Sequence, residues 1–379
     1  MSKDELSPGY PTLAQWLSGA SANIHPPPQG YWQHLLDEAT TQRVECLLLE
    51  RLRLSGCAPV EVLAELKSRA SGQAVVSMAL GSETRRVLAE LDRLGIPGIL
   101  LKGNALAYWA YAIPMHRACS DVDVLVPQRE DADRLASALA SLGYECAEPS
   151  GQLVAYERMC RRRLSDEWWL EVDIHWRLNN TPLFSDVFRF EELAHRAVEL
   201  PALAANARGL CAVHALLHAA THRAANISNN VSDQLRWLYD FVVLGERMSP
   251  ADWDELESVT RERHLAGVMA DGLKAAGLAF GHVWPDGLIE RLEAAKKHET
   301  LDPARLGSFG YSQRMAWHAL PSMSSKARWV WQRLFPSRDY LTYLYEVDGS
   351  YPRLLMIRAS RAWRKLMRDR HPPANGNGT

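Results

Sequence analysis

GIPGILLKGNALAYWAYAIPMHRACSDVDVLV, residues 95–126, is where the character of this 379-residue chain changes. Gly95-Ile-Pro-Gly98 reads as a turn, Ile99 to Leu101 as a short apolar strand, and Lys102-Gly103 as the opening of a helix that Pro114 stops. After a polar loop, Asp121-Val-Asp-Val-Leu-Val126 alternates acid and aliphatic residues and reads as a strand. A helix from about Arg129 to Leu142 follows, with Gly143 placed for a left-handed C-cap. β-like segments near Leu153–Arg158 and Trp168–Trp176 complete the order β-α-β-α-β-β, which predicts a small mixed sheet.

On either side the apolar spacing is helical. Tyr31 to Arg53 carries one stripe, and about Pro59 to Leu94 a second, interrupted near Gly72 or Gly81. Residues 1 to about 30 read as loop. Beyond the sheet, Cys211–Ala224, Asp233–Leu244 and Trp253–Leu278 read as helices. Leu288–Lys297, Leu341–Tyr345 and Tyr351–Arg370 extend that pattern. The expected class is α+β, in five parts: an N-terminal helical region (1–94), a mixed α/β core (95–184), a helical domain closing the cleft (185–300), a C-terminal helical region with a basic end (301–370) and a disordered tail (371–379).

Composition bounds the function. Forty-three basic against 45 acidic residues, net −2, exclude a protein that coats nucleic acid over its whole surface, because such binders carry a basic excess. Six scattered cysteines with no C-x-x-C pair, and an N-terminus without the apolar core of a signal peptide, predict a reduced, cytoplasmic chain. No uncharged apolar run is long enough to span a bilayer.

The chemistry lies in the carboxylates. Asp121 and Asp123 are two apart on a strand, so both project from one face while Val122 and Val124 face the other. Adjacent carboxylates repel unless a cation neutralises them. A hard divalent cation suits them, since such ions are held by one or two carboxylates plus substrate phosphates; the alternative is a pair of solvated edge-strand acids. In Glu171-Val-Asp-Ile-His175 the same alternation places Glu171, Asp173 and His175 on one face. A third carboxylate beside the first two is what two-metal phosphoryl transfer needs. At Leu101-Lys102-Gly103-Asn104 a strand meets a helix N-terminus, which offers unpaired N–H groups to a phosphate.

Taken in order, the glycine turn, the D-x-D strand, LASLGY and EVDIHWRL resemble the uncharacterised bacterial nucleotidyltransferases of the DNA polymerase β superfamily. HALLHAATH and LRWLYDFVVL resemble the helical region accompanying that core. The likeness covers about residues 95–245. It implies that Gly103 and Asn104 contact a nucleoside triphosphate and that Asp121, Asp123 and Asp173 hold Mg²⁺ or Mn²⁺. It further implies that a nucleoside monophosphate passes to a hydroxyl acceptor with release of pyrophosphate. The 18 residues from Gly103 to Asp121 are a longer interval than in many relatives, and Asn104 stands where many have Ser or Gly.

Other candidates surround these. Lys102 and Arg117 flank the phosphate site. His214, His218 and His222 recur at four-residue spacing on one helical face, for packing, acceptor contact or metal. Arg236 and Asp240, one turn apart, either pair with each other or line the cleft. Glu171 is an auxiliary ligand or a salt-bridge partner, and Trp168, Trp169, Trp176 and Trp237 are core or base-stacking residues. The arginine-rich segment 351–370 reads as a basic amphipathic helix, packed at the terminus or making a peripheral contact with a membrane or acidic partner. Two rival functions remain: a noncatalytic nucleotide-binding or scaffold protein on a degenerate transferase core, and a D-x-D nucleotide-sugar glycosyltransferase, which needs an α/β half upstream.

Overall fold

A computed structural model describes residues 11–19, 27–148, 151, 153, 155–165, 168–345 and 347–370. The expected tail, 371–379, and most of the expected N-terminal loop lie outside the described residues. Four helices come first: α1 (Leu13–Leu17), α2 (Tyr31–Gln42), α3 (Glu45–Ser55) and α4 (Val60–Leu94). The first corrects the loop expectation: Thr12 and Gln15 form a reciprocal capping box that starts α1. The single helix expected over 31–53 is two, because Arg43 takes φ +56° and closes α2. Conversely α4 runs 35 residues without a break at Gly72 or Gly81. The upstream half that a glycosyltransferase requires is therefore a helical layer.

Next come β1 (Ile99–Leu100), α5 (Lys102–Trp109), β2 (Asp121–Leu125), α6 (Arg129–Ser141), β3 (Glu145–Cys146), β4 (Glu157–Arg163) and β5 (Trp169–His175). They are followed by α7 (Phe190–His195), β6 (Val198–Glu199) and β7 (Arg208–Gly209). The strand expected at 153–158 begins only at Glu157, and Gly143 takes φ +87° as its C-cap role requires. One seven-stranded mixed sheet results, in the order β3-β4-β5-β2-β1-β7-β6. It reaches past residue 184, since β7 pairs in parallel with β1. The two-residue strands β3, β6 and β7 are too short to show a period, so the sequence did not reveal them.

The helical remainder is α8 (Ala212–Ser228), α9 (Leu235–Gly245), α10 (Pro250–Glu262), α11 (Ala266–Phe280), α12 (Leu288–Lys296), α13 (Phe309–Ala319), α14 (Met323–Leu334), α15 (Arg338–Tyr345) and α16 (Tyr351–Arg370). The one helix expected over 253–278 is α10 and α11, parted at His264, which takes φ +56°. The class is α+β, as expected.

Two apolar clusters position the site. Val122, Val124, Val172 and Ile174 pack beneath the sheet with Leu135 and Leu139 of α6 and Leu88 and Leu91 of α4. A larger cluster joins α1–α3 to Leu216, Phe241 and Leu273 of α8, α9 and α11. The polar faces of β2 and β5 open between these two bodies.

One expectation about the cysteines is corrected. Cys146 and Cys160, opposite one another on antiparallel β3 and β4, form a disulfide. Their spacing of 14 residues matches no short motif, so only strand pairing reveals the bridge. Among the described residues no helix is long and apolar enough to cross a membrane.

Candidate metal and nucleotide site

β2 and β5 pair in parallel with Asp121 opposite Glu171 and Asp123 opposite Asp173. Alternation brings the acids to one face, and the register sets the two strands' acids side by side. Asp123 is buried. Its Oδ1 accepts from Lys102 Nζ at 2.7 Å and lies 2.9 Å from His175 Nε2. Burial alone would raise this carboxyl, but Lys102 and then His175 outweigh it and hold it far below the usual carboxylate range.

Asp173 behaves oppositely. Burial, together with the charges of Glu157, Asp123 and Asp121, pushes its carboxyl well above the usual value, and Oδ1 makes no hydrogen bond among the described residues. Asp121 is also raised, by burial and by Asp123. One lysine thus faces an excess of carboxylates that water cannot freely solvate, an arrangement a divalent cation would relieve.

Ligand atoms of Asp123, Asp173 and His175 all lie within 4.8 Å of one another. The group that could hold a metal is therefore Asp-Asp-His, and Asp121, expected among the ligands, stands beside it. His175 had no assigned role at the sequence level. The signal was present, because Asp173 and His175 are two apart on one strand, but only the parallel register aims the imidazole at Asp123 on the neighbouring strand. The donor set of two carboxylate oxygens and one imidazole nitrogen, with the orphaned Asp173 Oδ1 among them, suits such an ion.

A cavity of about 110 Å³ adjoins this group, lined by Lys102, Gly103, Arg117, Asp121, Asp123, His218, His222, Arg236 and Asp240. Lys102 takes φ +49°, uncommon for a residue with a side chain, and its ammonium is directed onto Asp123. Burial opposes that charge, but Asp123 and Asp121 outweigh the penalty and keep Lys102 protonated above its ordinary range. A Cβ on Gly103 would meet Cys119 Sγ at 2.7 Å and Arg117 Nη1 at 3.2 Å. The close approach this glycine permits is thus to the 117–119 loop. Asn104 is buried, its Nδ2 donating to Thr84 Oγ1 at 3.2 Å and to the Asp121 carbonyl at 3.1 Å. Its amide supports the start of β2 instead of facing the cavity.

Arg117 is likewise committed to the protein. Its Nε and Nη2 each donate to Asp240 at 2.7 Å, and Tyr111 Oη donates to the same carboxylate at 2.8 Å. Of the two readings of Arg236 and Asp240, the intrahelical pair does not form, since Asp240 is taken by Arg117 from a loop 123 residues earlier, and both residues line the cavity. Arg236 makes no hydrogen bond or ion pair among the described residues; its Nε is buried and orphaned. Burial, with Arg117 and Arg43 close by, lowers it to about 10, so it remains charged at neutral pH.

The histidine row divides. His218 and His222 face the cavity, while His214 packs against Phe188 at 5.0 Å. Burial, reinforced by Lys102, lowers His218 to about 3 and carries His222 well down; burial with Arg196 and Arg263 lowers His214 to about 4. Trp237 lines the cavity edge-on to His222, Trp169 stacks under Arg161, Trp176 is buried, and Trp168 packs against the sheet's apolar cluster.

A pH dependence follows. A histidine whose folded pKa is depressed leaves the unfolded chain binding more protons between the two values, so stability falls as pH drops below about 6.5 toward 4. The melting temperature is expected to fall over this range. His214→Gln, lying outside the cavity, should flatten that slope; an unchanged slope would show that His214 does not contribute.

The fold and site define a mixed α+β protein with a buried carboxylate-rich centre beside a cationic cavity. A family model described as uncharacterised nucleotidyltransferase matches residues 28–281, and the chain belongs to that family. Comparison with curated proteins gave no match. Among solved structures, the chain is similar to an antigenic nucleotidyltransferase-like protein from Paracoccidioides brasiliensis, at 11% identity over 56% of this chain and 95% of that one, with a TM-score of 0.33.

Proposed function

We propose that the chain transfers a nucleoside monophosphate from a nucleoside triphosphate to a hydroxyl acceptor, on a core of the DNA polymerase β type. The observation that carries this reading is the Asp123–Asp173–His175 group beside a cavity lined by Arg236, which has no carboxylate partner among the described residues. Asp123, Asp173 and His175, with Asp121 adjoining, would hold Mg²⁺ or Mn²⁺. Such an ion supplies Lewis-acid neutralisation of phosphate charge. Arg236 binds triphosphate oxygens through its planar fork. Lys102, the counter-cation of Asp123, lines the same cavity and would add positive charge beside the phosphates. Gly103 and the backbone of Asn104 border the same phosphates, while Arg117 acts indirectly by fixing Asp240 and the cavity wall. His218 and His222, both neutral, line the acceptor side.

The acceptor hydroxyl attacks the α-phosphorus. Its oxygen forms the new P–O bond as the bond to the β-phosphate oxygen breaks, pyrophosphate leaves, and the hydroxyl proton passes to Asp173. Asp173 is suited to this role by its place on the face it shares with Asp123 and by an Oδ1 that has no hydrogen-bond partner among the described residues.

The test is incubation of the full chain with each α-labelled nucleoside triphosphate, Mg²⁺ and cell extract, followed by identification of the labelled product. Arg236→Met is expected to weaken nucleotide binding about tenfold or more, the usual scale of a charge-assisted bond. Nucleotide binding without label transfer to any acceptor would favour the noncatalytic reading, and unchanged binding in Arg236→Met would remove that arginine from the phosphate site.

A further inference from the structure

The net charge of −2 conceals a strong asymmetry. Residues 320–370 contain eleven Lys and Arg against four Asp and Glu, so the rest of the chain is acidic overall. This basic end is also where large apolar side chains face outward. On α14, Trp329 turns inward and is buried, whereas Met323, Trp331 and Leu334 are 71%, 64% and 57% exposed. Positions 323, 327, 331 and 334 lie on one helical face, so these side chains form a stripe. Phe335 extends it, its ring 4.6 Å from that of Trp331. The α14 segment contains no acidic residue.

α16 continues the surface. Arg358 Nε donates to the Arg333 carbonyl at 2.8 Å, and Tyr351 Oη donates to the Pro336 carbonyl at 3.0 Å, tying α16 to the end of α14. Leu354 turns inward, while Met356 and Trp363 are exposed. Arg328, Arg338, Arg353 and Arg361 are exposed as well, and none forms an ion pair among the described residues. A solvated basic face needs no apolar stripe beside it, and a stripe of this size is unfavourable in water unless something covers it.

We propose that α14 and α16 dock on an anionic phospholipid surface. The apolar stripe, led by Trp331 and Leu334, enters the headgroup–acyl boundary, and the flanking arginines meet lipid phosphates. The chemistry selects this occupant. Nucleic acid would satisfy the arginines but not Met323, Leu334 and Phe335 together. A second copy would bring two strongly basic surfaces into contact. Amphipathic helices with basic flanks and interfacial tryptophan bind anionic bilayers in this way. No helix among the described residues is long and apolar enough to cross a membrane, and the contact proposed is a peripheral one. This inference stands apart from the nucleotide-transfer reading.

The test uses the full chain with vesicles of phosphatidylcholine alone and of equal parts phosphatidylcholine and phosphatidylglycerol. Sedimentation with the anionic vesicles only is expected, with a blue shift of tryptophan emission and loss of binding at high salt. Trp331→Asp with Leu334→Asp should weaken binding about tenfold or more, and Arg328→Glu with Arg353→Glu should weaken it similarly, with far-UV circular dichroism unchanged in both. Failure to bind the anionic vesicles would overturn the proposal, as would equal binding to both vesicle types or tighter binding to an oligonucleotide. Sedimentation equilibrium showing a dimer that Trp331→Asp dissociates would assign the face to a second copy instead.

Discussion

Asp123→Asn is expected to reduce metal-dependent nucleotide transfer by about a thousandfold or more while leaving the chain folded. Asn fills the same space and can still accept a hydrogen bond where Asp123 Oδ1 now meets Lys102 and His175. What it removes is the negative charge that balances Lys102 and attracts a cation. Two measurements separate the causes: Mn²⁺ binding followed by electron paramagnetic resonance should weaken in parallel with turnover, and far-UV circular dichroism should be unchanged. Asp173→Asn should lose turnover to a comparable extent, since it also removes the proton acceptor. Undiminished transfer in Asp123→Asn would end the proposed mechanism, whereas lost transfer with intact Mn²⁺ binding would move the metal away from Asp123.

Asp240→Ala is expected to produce the largest change in stability. Arg117 and Asp240 are both buried and share two 2.7 Å hydrogen bonds. Burial opposes the Arg117 charge, but Asp240 more than offsets that and holds the guanidinium above its already high range. Removing the carboxylate leaves a cation that cannot readily shed its proton and has no counter-charge. Breaking a buried pair from one side costs about 3–5 kcal/mol. The urea midpoint should fall accordingly, and nucleotide binding should weaken too, because the pair ties α9 to the loop before β2. The double variant Arg117→Met, Asp240→Leu should recover most of the stability, since apolar replacements of a buried pair are often neutral. A fall of less than 1 kcal/mol in Asp240→Ala would show that Arg117 finds water or another partner.

Much of this protein was legible in local pattern. The alternation of Asp121-Val-Asp-Val and Glu171-Val-Asp-Ile identified both central strands and the polar face of each. The Gly143 turn, the helices around the sheet and the basic C-terminal segment were equally plain. Local pattern was weakest where a segment is too short for a period, as at β3, β6 and β7, or where one left-handed residue divides a continuous stripe, as at Arg43 and His264.

The sequence by itself determined which residues share a face, because side-chain direction within a strand or helix follows from a fixed period of 2 or 3.6 residues. That was enough to collect Asp121, Asp123 and Asp173 as candidates and to place His218 with His222. Tertiary structure alone decided what meets across elements. Parallel register set His175 against Asp123. A contact spanning 123 residues gave Asp240 to Arg117 and left Arg236 in the cavity wall with no carboxylate partner among the described residues. Strand pairing joined Cys146 to Cys160. Pairings of this kind depend on how layers pack, which no local period encodes, and they divide the site's cations into one that balances a carboxylate, one that braces the cavity wall and one left facing the cavity.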